Sequence, residues 1–339
     1  MKSDVTQTKN GLYYNEMEGL AMLQPLLIIM NPRSGTRQGP RMLAELVDFY
    51  QKQGYQCTVM LTQKSGDATD FARDFGGQYP MVIAVGGDGT FNEVAAGLFA
   101  GGHHTPIGYL PAGSTNDFAN TLGLSPELLT AAKGSVTGAV QMLDAGRFND
   151  RMFTYVASFG AFTRVSYATP QEFKNVMGHA AYILEGIMEV PSLRAVEMTI
   201  ETDGEVLSGD YIFGAISNST SIGGLLKLDP GTVDMNDGKL ELLLIRNPET
   251  PIELGQIIVA LNSRNYDACP CIRFVSTRTV KIRARDGLMW SLDGEGVTAP
   301  REVTVTNVPD AIRVVVPPKK EEPRTILDAH EIVDLIDRF

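Results

Sequence analysis

A glycine-rich turn near residue 86 constrains the fold more than any other segment of the chain. Residues 86–97 read GGDGTFNEVAAG, directly after the apolar run 81–85. A buried strand that ends in glycines and restarts as a helix brings free backbone N–H groups and a helix N-terminus to one point. Such a point attracts anions, because the N–H groups and the helix dipole both carry partial positive charge. The segment therefore predicts a phosphate-binding turn in an α/β sheet.

Two more apolar runs, at 26–30 and 107–110, end in loops that are rich in small and polar residues. Arg33 follows the first run and is suited to neutralise a phosphate group. After the second run, Ser114 offers a hydroxyl to phosphate, and Asp117 offers a carboxylate to a metal ion or an adenine edge. Ligands of open α/β sheets bind outside the carboxyl ends of the strands, where all three loops fall. We therefore expect the loops to form one binding site.

The first half of the chain alternates short apolar runs with amphipathic stretches. Between about 25 and 144 the continuous runs predict buried strands, and the residues between them show helical spacing. This βαβ order is typical of a parallel, doubly wound sheet with helices on both faces. We assign 24–145 to a nucleotide-binding α/β domain, preceded by an extension, 1–23, that shows no usable periodicity and is expected to be flexible or loosely packed.

The second half has a different texture, with β-rich segments separated by Asp-Gly pairs that favour hairpins. Helical spacing interrupts these segments at 171–190 and 251–262. We therefore predict a mainly antiparallel second domain over 146–319, and a last helical segment, 320–339, that packs back onto the first domain. The Asp-Gly pairs are at 203–204, 237–238, 286–287 and 293–294.

Composition and charge limit the classes of partner. The 29 basic and 40 acidic residues give a formal net charge of −11, which argues against nucleic acid as the main partner and against steady attachment to an anionic membrane. The apolar stretch 20–30 is interrupted by Gln24 and Pro25 and is too short for a membrane span. It also lacks the features of a secretory signal. Because the cysteines and histidines show no disulfide, zinc or triad spacing, we expect a cytoplasmic protein without hydrolase chemistry that touches membranes transiently.

The glycine turn alone is similar in several kinase families, and its neighbours narrow the choice. The order and spacing of the three loops resemble the catalytic domain of diacylglycerol kinases, above all the soluble bacterial lipid kinases, over about 25–320. NAD kinases and phosphofructokinases are similar at the glycine turn, whereas the segments 111–119, 218–224 and 292–295 resemble the lipid kinases specifically. The resemblance implies a Rossmann-like first domain of the NAD-kinase and phosphofructokinase type, followed by a β-sandwich.

The resemblance also implies which residues bind ATP and carry the reaction. Glu295 matches the family's general base, and Asp88 and Asp117 are expected to organise a magnesium network around the triphosphate. Gly87 and Gly89 keep the backbone open to the phosphates. The implied ATP contacts are Asn31, Pro32, Arg33, Ser34, Gly35, Thr62, Gly86, Gly87, Asp88, Gly89, Thr90, Phe91, Asn92 and Ser114.

A second cation site is implied at 233–239, which resembles the family's structural magnesium loop. Asp237 would supply a carboxylate, and Asp234 and Lys239 would supply backbone carbonyls, because Mg²⁺ prefers oxygen ligands. Asn236 stands where close relatives often carry a second Asp, which lowers the negative charge of the loop. Taken by itself, the Asp-Gly pair in this segment is typical of a hairpin turn.

The sequence therefore predicts an ATP- and magnesium-dependent kinase that phosphorylates the free hydroxyl of diacylglycerol to phosphatidate, in phospholipid metabolism. Alternative acceptors are a sphingoid base or phosphatidylglycerol, and the other open classes are NAD kinase and a nucleotide-binding regulator without catalysis. The cationic residues at 278–285 form either a solvated sheet face or a patch for anionic lipid headgroups. The oligomeric state stays open, and a homodimer is one of the alternatives.

Overall fold

The computed structural model describes residues 5–7, 13–15, 21–114, 116–160, 195–219, 221–222, 226–227 and 234–318. The helix expected at 171–190 and the segment 320–339 lie outside these residues, as do the glycines of 218–224. Within the described ranges, no helix is both long and apolar enough to cross a bilayer.

The N-terminal extension contains three short strands where the sequence predicts no regular structure. They pair in the order β1-β2-β3 as a small antiparallel sheet that is separate from the main one. Strands of two or three residues are too short for alternation to show in a sequence, which explains the difference. The strands are β1 (Val5–Gln7), β2 (Tyr13–Asn15) and β3 (Ala21–Met22).

The α/β half is built on four parallel strands in the order β7-β6-β4-β5. The strands β4 and β6 are neighbours, and the chain leaves them in opposite directions, toward β5 and toward β7. Their carboxyl ends therefore border the crevice in which doubly wound sheets bind ligands. The four strands are β4 (Gln24–Met30), β5 (Tyr55–Leu61), β6 (Val82–Gly86) and β7 (Ile107–Pro111).

Helices cover both faces of this sheet, as the alternation of apolar runs and helical spacing predicts. Leu26 and Ile28 share a core with α1 and α5, whereas Leu27 and Ile29 on the opposite face share one with α2 and α3. Each of these fully buried side chains contributes about 2 kcal/mol through removal of apolar surface from water. The helices are α1 (Gln38–Lys52), α2 (Asp67–Phe75), α3 (Asp88–Ala100), α4 (Asp117–Thr121) and α5 (Leu128–Thr137).

The described strands of the second half pair with one another in antiparallel fashion. Trp290 lies in their core against Phe148 and Phe159, with ring centroids 5.0 and 4.9 Å away. One helix, α6 (Pro251–Ser263), begins where Thr250 accepts a hydrogen bond from the N–H of Glu253, close to the predicted start. The strands are β8 (Ala139–Phe148), β9 (Arg151–Phe153), β10 (Val156–Gly160), β11 (Val196–Glu201), β12 (Val206–Ser217), β13 (Ser221–Ile222), β14 (Leu226–Lys227), β15 (Leu240–Arg246), β16 (Ile272–Thr277), β17 (Thr279–Arg283), β18 (Leu288–Leu292), β19 (Glu295–Ala299) and β20 (Glu302–Val316).

The last strand, β20, connects the two halves. Its first part, 302–306, pairs with β17, and residues 305–308 and 312–316 pair with β8. On its other edge, Val314 pairs with Ile107 of the parallel strand β7. The α/β sheet and the antiparallel strands of the second half, apart from β13 and β14, therefore form one continuous hydrogen-bonded sheet. The strands β13 and β14 pair with each other in a separate small sheet.

Two of the four Asp-Gly pairs close the hairpins that the sequence predicts. The pair at 203–204 joins β11 to β12, and the pair at 293–294 joins β18 to β19. The pair at 286–287 does not, because β17 pairs with β11 and β20 while β18 pairs with β10 and β19. The pair at 237–238 leads into β15, which pairs with β12 and β16.

Candidate active site

The three predicted loops meet at the carboxyl ends of the parallel strands. Ser34, after β4, accepts a hydrogen bond from the backbone N–H of Gly87, after β6 (3.1 Å). Gly35 has φ +49°, and a side chain there would overlap the carbonyl oxygen of Ala112. A side chain on Gly113 would likewise collide with the backbone of Gly87. The loops therefore touch backbone to backbone and form one continuous surface.

The glycine turn presents an open backbone to this surface. Thr90 is buried, and its side chain packs back against the backbone of Gly86, where no larger residue fits. Gly89 has open space beside its Cα atom. The N–H groups of Thr90 and Phe91 donate to the carbonyl of Gly87, which leaves the first N–H groups of α3 for a ligand.

Other predicted ATP contacts lie around this turn. Arg33 and Ser114 are exposed, and the guanidinium of Arg33 forms no ion pair with the part of the chain that the structure describes. The backbone N–H of Arg33 donates to the side chain of Asn31 (2.9 Å), which fixes the loop that also contains Pro32. Thr62 is buried at the end of β5, and its N–H donates to the carbonyl of Met30.

The side chains of two predicted ATP contacts, Phe91 and Asn92, are fully and partly buried. The ring of Phe91 is fully buried and packs on Tyr109 and Phe118, with centroids 4.9 and 4.6 Å away. The side-chain oxygen of Asn92 is buried too. Any contact of Phe91 with a nucleotide therefore uses its backbone, because its ring has no exposed surface.

Asp88 fastens α4 to the glycine turn. Its carboxylate accepts hydrogen bonds from the backbone N–H groups of Asp117 (2.8 Å) and Phe118 (3.2 Å) and from the hydroxyl of Tyr109 (3.2 Å). It acts as the N-terminal cap of α4, since Asn116 makes no capping bond with its own side chain. Burial raises the pKa of Asp88, and the nearby charge of Asp117 raises it further.

Asp117 extends this contact to the antiparallel half. One of its carboxylate oxygens accepts a hydrogen bond from the hydroxyl of Tyr155 (3.0 Å), which is buried just before β10. The hydroxyl of Thr121, one turn further along α4, is 3.3 Å from that of Ser219. The structure thus brings Asp88 and Asp117 together and ties both to the antiparallel strands.

Glu295 reaches the crevice from the start of β19, directly after the turn that joins β18 to β19. One carboxylate oxygen accepts a hydrogen bond from the guanidinium of Arg151 (3.1 Å), and the other is 3.4 Å from the hydroxyl of Ser65. Ser65 belongs to the loop that connects β5 to α2, on the nucleotide side. Its hydroxyl is also 3.3 Å from a carboxylate oxygen of Glu93 on α3. A carboxylate from the antiparallel half therefore meets the α/β half at the predicted site.

Asp293 holds the turn that carries Glu295. Its carboxylate accepts hydrogen bonds from the backbone N–H groups of Thr154 (2.7 Å), Tyr155 (2.9 Å) and Val156 (2.7 Å) and from the hydroxyl of Thr154 (3.2 Å). Burial raises the pKa of Asp293 to about 6, although these hydrogen bonds favour the charged form. The general-base candidate is thereby attached to the strand that follows Tyr155.

The predicted metal loop has the right kind of donor atoms for a hard cation. Asp237 and Asp234 are exposed, and each uses one carboxylate oxygen to accept a backbone N–H within the loop, from Lys239 (2.9 Å) and Asn236 (3.1 Å). The carbonyl of Lys239 accepts the side-chain N–H of Asn307 (3.1 Å) and keeps a second lone pair. Oxygen donors of this kind suit Mg²⁺ or Ca²⁺.

Asp144 organises this loop, a role that the sequence does not suggest. Its carboxylate accepts hydrogen bonds from Gly238 (2.8 Å), Asn307 (3.1 Å) and the N–H of Asp310 (3.0 Å). With its amide nitrogen turned inward, Asn236 donates to the carboxylates of Asp144 (2.9 Å) and Asp310 (3.1 Å). An Asp at this position would add a third carboxylate, so the amide relieves repulsion.

The cationic residues at 278–285 form ion pairs across the sheet. Lys281 lies 3.8 Å from Glu201, and Arg283 lies 3.0 Å from Glu302, with all four side chains well exposed. The sequence left two alternatives for these residues, a solvated sheet face and a patch for anionic lipid headgroups. The observed ion pairs fit the solvated face.

Four residues near the site were missed by the sequence analysis: Ser65, Glu93, Arg151 and Tyr155. Glu93 lies inside the segment 86–97, and this nearness to the glycine turn is the signal by which the sequence could have indicated it. The other three come from loops and strand ends without a recognisable pattern. Only the folded chain brings them beside Asp117 and Glu295.

Comparison with known proteins agrees with this architecture. The model of the diacylglycerol kinase catalytic domain matches residues 25–148, and that of the YegS C-terminal NAD kinase beta sandwich-like domain matches residues 156–316. Two solved structures of diacylglycerol kinases from Bacillus anthracis str. Sterne, one of them titled as putative, share the fold. Their TM-scores are 0.73 and 0.67 at 22% and 19% identity, and they cover 90% and 87% of this chain and 99% and 97% of their own.

Curated relatives are more similar in sequence. The diacylglycerol kinase of Bacillus subtilis (strain 168) is 33% identical over 298 residues, which are 87% of this chain and 97% of the relative. The diacylglycerol kinase of Staphylococcus saprophyticus is 31% identical over 269 residues, 79% of this chain and 88% of the relative. The chain therefore belongs to the diacylglycerol kinase family and is a kinase.

Proposed function

We propose that this protein transfers the γ-phosphoryl group of ATP to the free hydroxyl of diacylglycerol, giving phosphatidate. The observation that carries the proposal is the meeting of Glu295 with the nucleotide crevice, at 3.4 Å from the Ser65 hydroxyl. A proton acceptor from one half of the molecule thus lies beside a phosphate-binding turn from the other. The names of the curated relatives support diacylglycerol as the acceptor.

The nucleotide half of the reaction relies on backbone groups. The triphosphate binds along the joined loops, where the first N–H groups of α3 and the hydroxyls of Ser34 and Ser114 donate hydrogen bonds. The guanidinium of Arg33, which forms no ion pair within the described ranges, offsets phosphate charge. Asp88 and Asp117 would hold the catalytic Mg²⁺, which when bound neutralises charge on the triphosphate.

The acceptor half relies on Glu295. Its carboxylate accepts the proton of the lipid hydroxyl while the hydroxyl oxygen bonds to the γ-phosphorus and ADP leaves. Arg151 and Ser65 fix the orientation of that carboxylate, and Asp293 fixes the turn that bears it. Rate acceleration then comes mainly from positioning and charge stabilisation.

The test is transfer of radiolabel from ATP to diacylglycerol in mixed micelles. We expect transfer by the wild type and a loss of at least about a hundredfold in Glu295→Gln, in line with removal of a general base. Glu302→Gln is the matched control, because Glu302 also pairs with an arginine on an exposed surface (3.0 Å). Full activity of Glu295→Gln would remove Glu295 from its role, and absence of transfer to every lipid would end the proposal.

A panel of lipid acceptors at equal surface fraction distinguishes diacylglycerol from the alternative substrates. Diacylglycerol, a sphingoid base and phosphatidylglycerol are compared in the same micelles, and NAD is assayed in solution. We expect the highest kcat/KM with diacylglycerol. A higher value with another acceptor would reassign the substrate and leave the kinase mechanism in place.

The acceptor stays in a bilayer, so we also propose transient contact with the membrane surface. Sedimentation with vesicles that contain diacylglycerol measures this contact. We expect weak binding that is lost when the vesicles are diluted, because the chain carries a net charge of −11. Tight binding at high salt would contradict a transient surface contact.

A further inference from the structure

A single hydroxyl joins two carboxylates across the crevice. The Oγ atom of Ser65 is 3.3 Å from Oε1 of Glu93 and 3.4 Å from Oε1 of Glu295. Glu93 belongs to α3 and Glu295 is the first residue of β19, so Ser65 forms a bridge between the two halves. On its far side, Glu295 is paired through Oε2 with Arg151 at 3.1 Å.

The loop that carries Ser65 is fixed by local hydrogen bonds. Asp67 accepts the backbone N–H groups of Gln63 (2.7 Å) and Lys64 (3.0 Å), and the second oxygen of Glu93 accepts the N–H of Ala68 (3.2 Å). Gly66 has φ +88°, a conformation that favours glycine. The hydroxyl is therefore held in place by groups on both sides of it in the chain.

A serine hydroxyl has one proton to donate, and two carboxylates compete for it. While Glu295 is ionised, Ser65 donates to it and presents lone pairs toward Glu93. Once Glu295 is protonated, its own O–H donates to Ser65, and Ser65 donates to Glu93. Each arrangement gives the Ser65 proton a carboxylate acceptor, so the hydroxyl can share a hydrogen bond with Glu295 before and after Glu295 takes up a proton.

We propose that Ser65, backed by Glu93, is a positioning residue for Glu295 whose hydroxyl reverses its donor direction during phosphoryl transfer. The proton of the acceptor hydroxyl moves to Glu295 as the acceptor oxygen bonds to the γ-phosphorus. The bond from that phosphorus to the oxygen shared with the β-phosphate breaks, and ADP leaves with the electron pair. The Ser65 hydroxyl turns its proton from Glu295 toward Glu93 and keeps it, so the protonation of Ser65 and of Glu93 does not change. The inference rests on the proposed function of Glu295.

Three variants test the bridge: Ser65→Ala, Ser65→Thr and Glu93→Gln. We expect Ser65→Ala to lower kcat about tenfold, with KM for ATP within about twofold, because the hydroxyl acts on the base and leaves the nucleotide loops intact. Ser65→Thr keeps the hydroxyl and is expected to restore most of the activity. Matched controls are Ser208→Ala and Glu197→Gln. Ser208 is an exposed serine that donates to the side-chain oxygen of Thr199 at 3.3 Å, and Glu197 is an exposed carboxylate on β11.

The pH profile of kcat separates a bridging role from general damage. The charged groups that face Glu295 in the described structure are Arg151 from β9 and, through Ser65, Glu93 from α3. Loss of the donor in Ser65→Ala is expected to move the acid limb to higher pH, since ionised Glu295 loses a hydrogen bond. Loss of negative charge in Glu93→Gln is expected to move it to lower pH. Mere structural damage gives no reason for opposite shifts.

Several outcomes overturn the inference. Wild-type kcat and a wild-type pH profile in Ser65→Ala would overturn it. A loss of kcat in Ser65→Thr equal to that in Ser65→Ala would do the same, as would shifts of the acid limb in the same direction in Ser65→Ala and Glu93→Gln. These results are distinct from failure of the proposed function. That failure shows as absence of transfer to every lipid, and full activity of Glu295→Gln would remove Glu295 from its role. An inactive Glu295→Gln beside a normal Ser65→Ala removes only the bridge. Thermal unfolding of each variant reports whether it is folded.

Discussion

Replacement of Asp293 by asparagine tests how the Asp293 carboxylate stabilises the turn that precedes Glu295. Asp293 has φ +49°, and asparagine is one of the few residues that adopt this conformation readily, so the backbone should persist. The amide keeps one oxygen as acceptor for Tyr155 and Val156, but its nitrogen cannot accept the N–H of Thr154. One enclosed backbone donor thus loses its partner, which costs about 1–3 kcal/mol.

The pH dependence of that cost follows from the raised pKa of Asp293. Its folded-state pKa is about 6, against roughly 3.9 in an unfolded chain, a difference that corresponds to about 3 kcal/mol. The residue keeps part of its surface exposed, and solvent screening reduces the expected effect to about 2 kcal/mol. Because the folded chain binds the proton more tightly, this stabilisation is present in full below the unfolded pKa and is lost as pH rises through 6.

Urea unfolding at pH 5 and pH 7.5 measures both effects. We expect Asp293→Asn to be less stable than the wild type at pH 5, and the difference to shrink by about 1 kcal/mol at pH 7.5, where the wild type has lost its protonated form. Asp286→Asn is the control, since Asp286 is the exposed member of another Asp-Gly pair. A difference that stays constant or grows with pH would refute the reasoning.

Three further outcomes are expected. Gly35→Ala should raise KM for ATP about tenfold in steady-state kinetics, since a methyl would meet a neighbouring loop. Gly123 also has a positive φ, of +67°, but open space beside it, so Gly123→Ala should leave KM unchanged. Tyr155→Phe removes the hydroxyl that donates to Asp117 and should lower the free energy of unfolding by about 1–2 kcal/mol in urea titration. Asp237→Asn should abolish the rise in Tm that Mg²⁺ gives the wild type, and an equal rise in both would argue against a cation in this loop.

The sequence predicted the architecture well because its signals are local. Continuous apolar runs identified the strands β4, β6 and β7 to within a few residues, and helical spacing between the runs indicated the alternation of strands with helices. The glycine turn at 86–90 and the loops at 31–35 and 111–114 meet at one edge because parallel strands bring their carboxyl ends together. For these elements, short-range chemistry determined the outcome.

The rest depends on contacts between distant residues. Asp88 is 29 residues from Asp117, and nothing in either segment indicates that one caps the helix of the other. The Asp-Gly pairs at 286–287 and 293–294 look alike, yet only the second closes a hairpin, because pairing is decided by which strands lie beside each one. The hydroxyl of Ser65 contacts both Glu93 and Glu295 only when the two halves of the chain have folded together.

The strand β20 has a consequence for how the molecule is made. It contributes the last described strand, and its residues 312–316 supply the hydrogen-bonded neighbours of β8 and, at Val314, of β7. During synthesis, the edge of the parallel sheet at β7 therefore stays unpaired until almost the whole chain has left the ribosome. An open strand edge invites pairing with other chains. A chain truncated before residue 302 should therefore aggregate rather than yield an isolated nucleotide-binding domain.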